Sequence, residues 1–157
     1  MQSTLLANPH SDASSPSASS RIVAETRQKV LQFFSADPDY FDVVFTGNAT
    51  AAVKLVMECF VDHKGGFNYC YHRNCHTSLV GVREVAHRSH CFASDEETEK
   101  WLDDGHNVFE IACNSRPTLF AYPAQSNMNG QRLPLDWPAK IRHNRHCLLY
   151  TSPSPRD

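Results

Sequence analysis

The chain has 157 residues, a length that fits one domain or part of a larger one. Its 41% hydrophobic and 20% charged residues are typical of a soluble globular protein, and its formal net charge of −2 gives no electrostatic reason to expect nucleic acid or an anionic membrane as a partner. No segment approaches the roughly 18 consecutive apolar residues of a membrane span. The Ser/Pro/Ala-rich start is not a secretory signal, so we expect a cytoplasmic protein whose six cysteines are reduced.

The first half of the chain is predicted to contain a loop, two helices and a strand. The Ser-rich residues 1–20 indicate an extended loop that ends in a serine helix cap. Apolar residues at helical spacing predict a helix over residues 21–34 and another over residues 52–60. Between them, the β-branched and aromatic run at residues 43–45 predicts a buried strand.

The later elements alternate between strand and helix. They are, in chain order, a strand over 67–71, a helix over 77–87, a weak strand over 90–93, a short helix after the capping-box residues Ser94 and Glu97, and a strand over 118–122. This alternation predicts an α/β fold with a mainly parallel sheet and flanking helices. Right-handed crossovers then bring three polar turns, at residues 47–50, 72–78 and 125–130, to the carboxyl edge of the sheet, where open α/β sheets bind ligands.

The turn at residues 46–50 has the features of an anion site. Gly47 and the small residues after it leave backbone N–H groups free at a helix start, where the helix dipole favours negative charge. The Thr50 hydroxyl adds a further donor. The turn lacks the Gly-Lys-Ser/Thr ending of a P-loop, so a phosphate cradle and plain helix capping both stay open.

The segment around residues 71–78 has more than one interpretation. Cys70, His72, Cys75 and His76 are all potential zinc ligands, which indicates a non-catalytic zinc-binding module, although the sequence shows no second ligand cluster of the usual kind. Alternatively, His76 closes a strand-to-helix turn and presents its flat ring to a planar ligand. The plainest interpretation is a surface histidine ahead of a helix that Thr77 caps.

The third turn is rich in side chains that form hydrogen bonds. Gln125, Ser126 and Asn127 follow a predicted strand end directly. Amides and hydroxyls placed in this way either bind a polar ligand or satisfy their own backbone as Asx-turns. The residues alone leave both interpretations open.

Three strings in this order resemble a known family. They are FTGNATAA from residue 45, HTSLVGVRE from residue 76 and FAYPAQSNMNGQRLPLDW from residue 120, with NPHS at residues 8–11 as a matching opening loop. Together they resemble the class V aminotransferase-fold proteins, and within them the amino-terminal domain of the molybdenum cofactor sulfurases, over about residues 5–142. The resemblance implies part of the large domain of a transferase of fold type I that depends on pyridoxal 5'-phosphate (PLP).

The resemblance also implies which residues hold the cofactor. Ala49 and Thr50 would bind the PLP phosphate, Thr50 through its hydroxyl and both through the helix amino terminus. His76 would stack on the pyridine ring. Asn127 would hydrogen-bond the phenolic oxygen of the cofactor, with Gln125 nearby as a residue that supports the site.

The family's reaction takes sulfur from L-cysteine. The cofactor acts as an electron sink, and the sulfur passes to an enzyme cysteine as a persulfide before it is delivered to the molybdenum cofactor of molybdenum hydroxylases. Fold relatives are commonly homodimers in their full-length form. Another class V cysteine desulfurase or aminotransferase is the alternative within the same fold, and the zinc-binding module is the alternative outside it.

The family's reactive groups have no counterpart in this sequence. Its Schiff-base lysine, its pyridinium-binding aspartate and its persulfide cysteine lie beyond Trp137, so we assign no catalytic residue and expect this chain to be inactive by itself. The ending CLLYTSPSPRD has no family counterpart and resembles translated adapter sequence. We therefore expect an extended loop over residues 1–20, a partial PLP domain over residues 21–146, and a non-native or disordered tail over residues 147–157.

The expectation of a truncated gene product has a direct test in genomic DNA. The reading frame should continue past residue 146 into a later strand and turn that contain a lysine. Sequencing of the genomic locus measures this. A stop codon directly after Asp157 in genomic DNA would contradict it.

Overall fold

The computed structural model describes residues 16–104, 109, 116–144 and 147–152. The chain divides into two compact units, Met1–Phe45 and Thr46–Asp157. The first unit is helical, and the second contains the sheet. Within the described ranges, no helix is both long enough and apolar enough to cross a bilayer.

The first unit consists of helix α1 (Pro16–Phe33) and the segment that follows it. α1 begins earlier than expected, because a proline with its fixed φ fits the first helical turn and the small residues after it tolerate a helix. The prediction of an extended loop is therefore wrong for residues 16–20. Residues 1–15, which include the NPHS string, lie outside the described residues.

The buried strand predicted at residues 43–45 is not formed. Val44 and Phe45 are 60% and 53% exposed, and the strands of the sheet do not include them. A strand needs a neighbour with which to exchange backbone hydrogen bonds, and β-propensity alone does not supply one. The turn at residues 46–50 therefore follows exposed chain.

The second unit is a parallel sheet with helices on both faces. In chain order its elements are α2 (Ala49–Val61), β1 (Asn68–His72), α3 (Thr77–Val80), a 3₁₀ turn (Gly81–Glu84), β2 (Arg88–Phe92), α4 (Asp95–Asp104), β3 (Thr118–Pro123), α5 (Trp137–Asn144) and β4 (Cys147–Ser152). The strands have the order β2-β1-β3-β4, and every neighbouring pair is parallel. The predicted α/β class is confirmed.

Each face of the sheet buries its own core, because side chains alternate along β1 and β3. The face covered by α2 and α3, the α2 face, buries Tyr69, Tyr71, Leu119 and Ala121 against Val53, Phe60, Leu79 and Val82. The opposite face, the α4 face, buries Cys70, Phe120 and Tyr122 against Phe92, Trp101, Leu102, Leu133, Trp137 and Ile141. All five residues of β1 are buried, as expected for an inner strand covered on both sides.

Local signals set where two of the helices begin and end. The predicted capping box opens α4: the Glu97 N–H donates to Ser94 Oγ at 3.2 Å, and Glu97 Oε2 accepts from the Ala93 N–H at 2.7 Å. The helix predicted over residues 77–87 is shorter, since α3 gives way to the 3₁₀ turn at Gly81. Glycine is a poor residue for a helix interior, which accounts for the change.

The structure at the end of the chain differs from what the sequence predicts. Residues 147–152 form β4, which pairs in parallel with β3 from Thr118↔Cys147 to Pro123↔Ser152. The expectation of disorder is therefore wrong for these six residues, because the apolar Leu148-Leu149-Tyr150 run is suited to a strand and β3 offers it an open edge. Residues 153–157 lie outside the described residues, and a non-native origin of the tail stays a prediction.

A matched pair of leucines in the second unit tests the α4-face core. Leu102 is fully buried and Leu135 is 75% exposed. We expect Leu102→Ala to lower the free energy of unfolding by about 3 kcal/mol, because it leaves a cavity, and Leu135→Ala to change it by less than about 0.5 kcal/mol. Urea denaturation followed by tryptophan fluorescence measures both. Equal losses in the two variants would contradict the assignment of this core.

Candidate functional site

Two of the three predicted turns lie side by side at the carboxyl edge of the sheet. β1 and β3 are neighbours in parallel register, from Asn68↔Thr118 to Tyr71↔Ala121. The turn that follows β1 carries His76, and the turn that follows β3 carries Asn127. Since parallel strands end at the same edge, the two turns share it, as the sequence predicts.

The direction of α2 brings the third turn to the same edge. Phe60, near the end of α2, packs against Phe67, which immediately precedes β1, with ring centroids 5.5 Å apart. Val53, near the start of α2, lines a narrow cavity with Leu79 and Ala121, which lie toward the strand ends. α2 therefore runs antiparallel to the strands, and its amino terminus points to the carboxyl edge.

The start of α2 is organised by Asn48. Its side-chain Oδ1 accepts from the Ala51 N–H at 2.9 Å, and the Thr46 hydroxyl donates to the Asn48 carbonyl at 3.1 Å. Ala49 and Thr50 occupy the first turn, where no helical carbonyl reaches the backbone N–H groups, and both residues are exposed. This leaves two amides and the Thr50 hydroxyl available to an anion.

His76 is the N-cap of α3, whereas the plainest interpretation of the sequence placed Thr77 in that role. Its Nδ1 accepts from the Ser78 N–H at 3.2 Å and lies 2.9 Å from Ser78 Oγ. A ring whose Nδ1 accepts a hydrogen bond carries its proton on Nε2, so this contact sets both the tautomer and the ring orientation. The ring is exposed, and its stacking on a planar ligand stays a prediction.

The turn after β3 satisfies much of its own backbone. Ser126 is buried; its Oγ accepts from the Met128 N–H at 3.2 Å and its carbonyl accepts from the Gly130 N–H at 2.9 Å. Gln125 Nε2 donates to the Gly130 carbonyl at 3.5 Å, so this amide closes its own turn. Asn127 is exposed at the tip of this turn, and Gln125 is half-buried.

The zinc interpretation is wrong for the described residues, among which no group of three potential ligands forms. Cys70 belongs to the core of the α4 face, whereas Cys75 belongs to that of the α2 face, so the sheet separates the two thiols. The Cys75 thiol donates to the Ala121 carbonyl at 3.4 Å, and burial raises its pKa to about 12. Such a thiol stays protonated and is neither a metal ligand nor a nucleophile at neutral pH.

A buried histidine next to the turns has a structural role that the sequence did not reveal. His72 is 1% exposed at the end of β1, and its Nδ1 accepts from the Asn74 N–H at 3.2 Å. Its Nε2 lies 3.1 Å from Asp95 Oδ1. Burial lowers the pKa of His72 from its ordinary 6.5, and the Asp95 carboxylate opposes that shift.

A short chain of hydrogen bonds continues from Asp95 along the edge. Gln131 Nε2 donates to Asp95 Oδ2 at 3.1 Å, and Asn74 Nδ2 donates to Gln131 Oε1 at 2.8 Å. The partners are 36 and 57 residues apart in sequence. The only signal in the sequence was their position in or beside the turns after β1, β2 and β3.

This fold and this arrangement of turns agree with the comparison to known proteins. The family model for class V aminotransferases matches residues 2–151, and the chain belongs to this family. Membership implies dependence on PLP. Two structures of serine palmitoyltransferase, one of them from S. paucimobilis, share the fold with TM-scores of 0.56 and 0.55 at 16% identity, over 82% of this chain and 30% of theirs.

Among curated proteins, the chain is similar to fungal molybdenum cofactor sulfurases. It is 51% identical to that of Botryotinia fuckeliana (strain B05.10) over 91% of this chain, and 49% identical to that of Chaetomium globosum over 96%. The matched regions cover 18% and 19% of those two proteins. The chain thus spans about a fifth of the length of these relatives.

The lowered pKa of His72 makes stability depend on pH. As the pH falls through 6.5, the unfolded chain takes up a proton that the folded chain resists, so the free energy of unfolding falls until the pH passes the lowered folded value. His72→Asn removes the titrating ring and keeps an acceptor for the Asn74 N–H. We expect the decline between about pH 7 and pH 5 to be smaller in this variant. Urea denaturation across this range measures the slope, with the exposed His87→Asn as matched control. Equal slopes in unmodified chain and His72→Asn would contradict it.

Proposed function

We propose that the carboxyl edge of this sheet forms part of the PLP site of a sulfurtransferase that takes sulfur from L-cysteine for the sulfuration of the molybdenum cofactor. The observation that carries the proposal is the meeting at one edge of the α2 amino terminus with the turns after β1 and β3. The similarity to molybdenum cofactor sulfurases supports the molybdenum cofactor as sulfur acceptor over the acceptor of a general cysteine desulfurase. In the parent protein we expect cytoplasmic action as a homodimer.

The residues at the edge fit a phosphorylated aromatic ligand. The amides of Ala49 and Thr50, with the Thr50 hydroxyl, match a phosphate at a helix start. His76 offers a ring whose orientation is held by Ser78, so that it meets a planar ligand with little loss of side-chain entropy. Asn127 offers an amide for a ring oxygen. The Gln125 side chain closes the turn that carries Asn127 by donating to the Gly130 carbonyl. When bound, PLP supplies an electron sink for the chemistry at the substrate carbon.

This chain contributes binding and orientation to the reaction. Its five lysines lie outside the three turns, at Lys29, Lys54, Lys64, Lys100 and Lys140. Lys140, for example, lies 3.7 Å from Asp103 and 3.8 Å from Asp136, so two carboxylates surround its ammonium group. We therefore propose that the chain alone has no sulfurtransferase activity and that the covalent steps use groups from the rest of the parent protein.

Substitution of Thr50 tests the phosphate role. In the full-length protein that contains this chain, we expect Thr50→Ala to raise the Kd for PLP about tenfold, because it removes one hydrogen bond to a charged phosphate. Equilibrium dialysis with PLP measures Kd. Thr26→Ala, which removes an exposed threonine of α1, is the control and should leave Kd unchanged.

The same proteins separate the two candidate reactions. Release of alanine from L-cysteine, with the persulfide sulfur freed as sulfide by an added thiol reductant, shows a desulfurase, and only activation of a molybdenum hydroxylase shows a molybdenum cofactor sulfurtransferase. Equal PLP affinities of the Thr50→Ala and Thr26→Ala proteins would overturn the cofactor site. Desulfurase activity without hydroxylase activation would overturn the proposed sulfur acceptor.

A further inference from the structure

Gln131 links the ends of three strands through one side chain. Its Oε1 accepts from Asn74 Nδ2 at 2.8 Å, in the turn after β1. Its Nε2 donates to Asp95 Oδ2 at 3.1 Å, at the start of α4, which follows β2. Gln131 itself belongs to the turn after β3. One amide thus joins the turns that follow three neighbouring strands of the sheet.

The backbone of Gln131 also closes the turn that carries Asn127. The Ser126 N–H donates to the Gln131 carbonyl at 2.8 Å, and the Gln131 N–H donates to Asn129 Oδ1 at 3.0 Å. The side chain therefore holds its neighbours while the backbone holds the turn. A movement of the Asn127 turn relative to its neighbours would break several hydrogen bonds together.

The two partners of Gln131 are themselves fixed. Asn74 lies two residues before His76, with the buried Cys75 between them, so its position follows that of the His76 turn. The Asp95 carboxylate faces buried His72 with one oxygen and Gln131 with the other, and it lies in the first turn of α4, where the helix dipole stabilises negative charge. Gln131 therefore spans two anchored groups.

A primary amide of this length satisfies both contacts. Asn74 presents a donor and Asp95 presents an acceptor, so the bridging side chain must accept on one side and donate on the other. A glutamate would bring a second negative charge to Asp95, and a lysine or arginine would have no acceptor for the Asn74 Nδ2 donor.

We propose that Gln131 is a positioning residue for the cofactor site: it sets the spacing between the His76 turn and the Asn127 turn, and with it the fit of a flat ring between them. The inference rests on the proposed PLP site and adds a determinant of its geometry. Gln131 is exposed, and hydrogen bonds of this kind stabilise modestly, so the expected effect on PLP affinity is about fivefold.

A double-mutant cycle in the full-length protein tests the proposal. Gln131→Ala and Asn74→Ala should each raise the Kd for PLP about fivefold, and the double variant should raise it no further, because both remove the same link. The visible circular dichroism of bound PLP should change in all three, since it reports the setting of the ring. Gln28→Ala on α1 is the control for loss of an exposed glutamine, with unchanged Kd and spectrum.

A charge swap provides the rescue. Gln131→Glu should weaken PLP binding as Gln131→Ala does, and the addition of Asp95→Asn should restore it, because the new amide at position 95 donates to the new carboxylate while Asn74 still donates to it. These two variants, Gln131→Glu alone and Gln131→Glu with Asp95→Asn, still test the proposal if Gln131→Ala fails to fold. If Asp95 acts only by stabilising the start of helix α4, the addition of Asp95→Asn would instead weaken PLP binding further.

Thr50→Ala in the same experiment separates the two proposals. If Thr50→Ala weakens PLP binding while the Gln131 and Asn74 variants leave Kd and spectrum unchanged, the positioning role is overturned and the cofactor site stands. If the double variant raised the Kd for PLP by the product of the two single effects, about 25-fold, the two residues would act independently and the shared link would also be overturned. If none of the three residues affects PLP binding, the cofactor site is wrong and the inference fails with it.

Discussion

The parallel pairing of β1 with β3 is the interaction on which the candidate site depends. The two strands are 46 or more residues apart in the chain, yet they pair from Asn68↔Thr118 to Tyr71↔Ala121 and are buried on both faces. A shift of one residue would exchange the residues of the two cores, moving Phe120 toward α2 and Ala121 toward α4. The cores thus fix the register, and the register places the His76 and Asn127 turns next to each other.

The orientation of α2 follows from the same cores and gives the edge its electrostatic character. Because Phe60 is held against Phe67 at the amino edge, the free amides at the start of α2 point to the carboxyl edge. Attraction for an anion then comes from the helix dipole and oriented N–H groups rather than from a cluster of cations. This agrees with a chain whose overall charge is close to neutral.

The sequence predicted the parts of the fold that depend on local pattern. The apolar runs at β1 and β3, the amphipathic α2 and the capping box of Ser94 and Glu97 each carry their signal within a few residues. The run at residues 43–45 carried a strand signal too, but none of the strands in the described residues pairs with it. Pairing is decided by distant chain, and propensity does not contain it. The start of α1 was placed too late because proline and serine favour loops in general, although Pro16 is acceptable in a first helical turn.

The candidate site was predictable to the extent that topology alone brings turns together. Thr50, His76 and Asn127 were chosen from their turns and their resemblance, and the sheet explains why such turns share an edge. The contacts that fix these turns were not predictable, because Gln131 reaches Asp95 and Asn74 across 36 and 57 residues. His72 was named only as a potential ligand in the alternative zinc interpretation, and its burial beside Asp95 appears only once α4 is in place.

The buried Cys75 thiol helps to hold the His76 turn in place. Cys75 lies directly before His76, but its side chain turns into the α2-face core, donates to the Ala121 carbonyl and has a pKa of about 12. A persulfide carrier needs a thiolate that solvent and substrate can reach, which burial denies to Cys75. Cys75 instead holds the His76 turn through its hydrogen bond to Ala121, and Gln131 holds the same turn through its hydrogen bond to Asn74. Both interactions restrict movement of the turn, as the proposed PLP site requires.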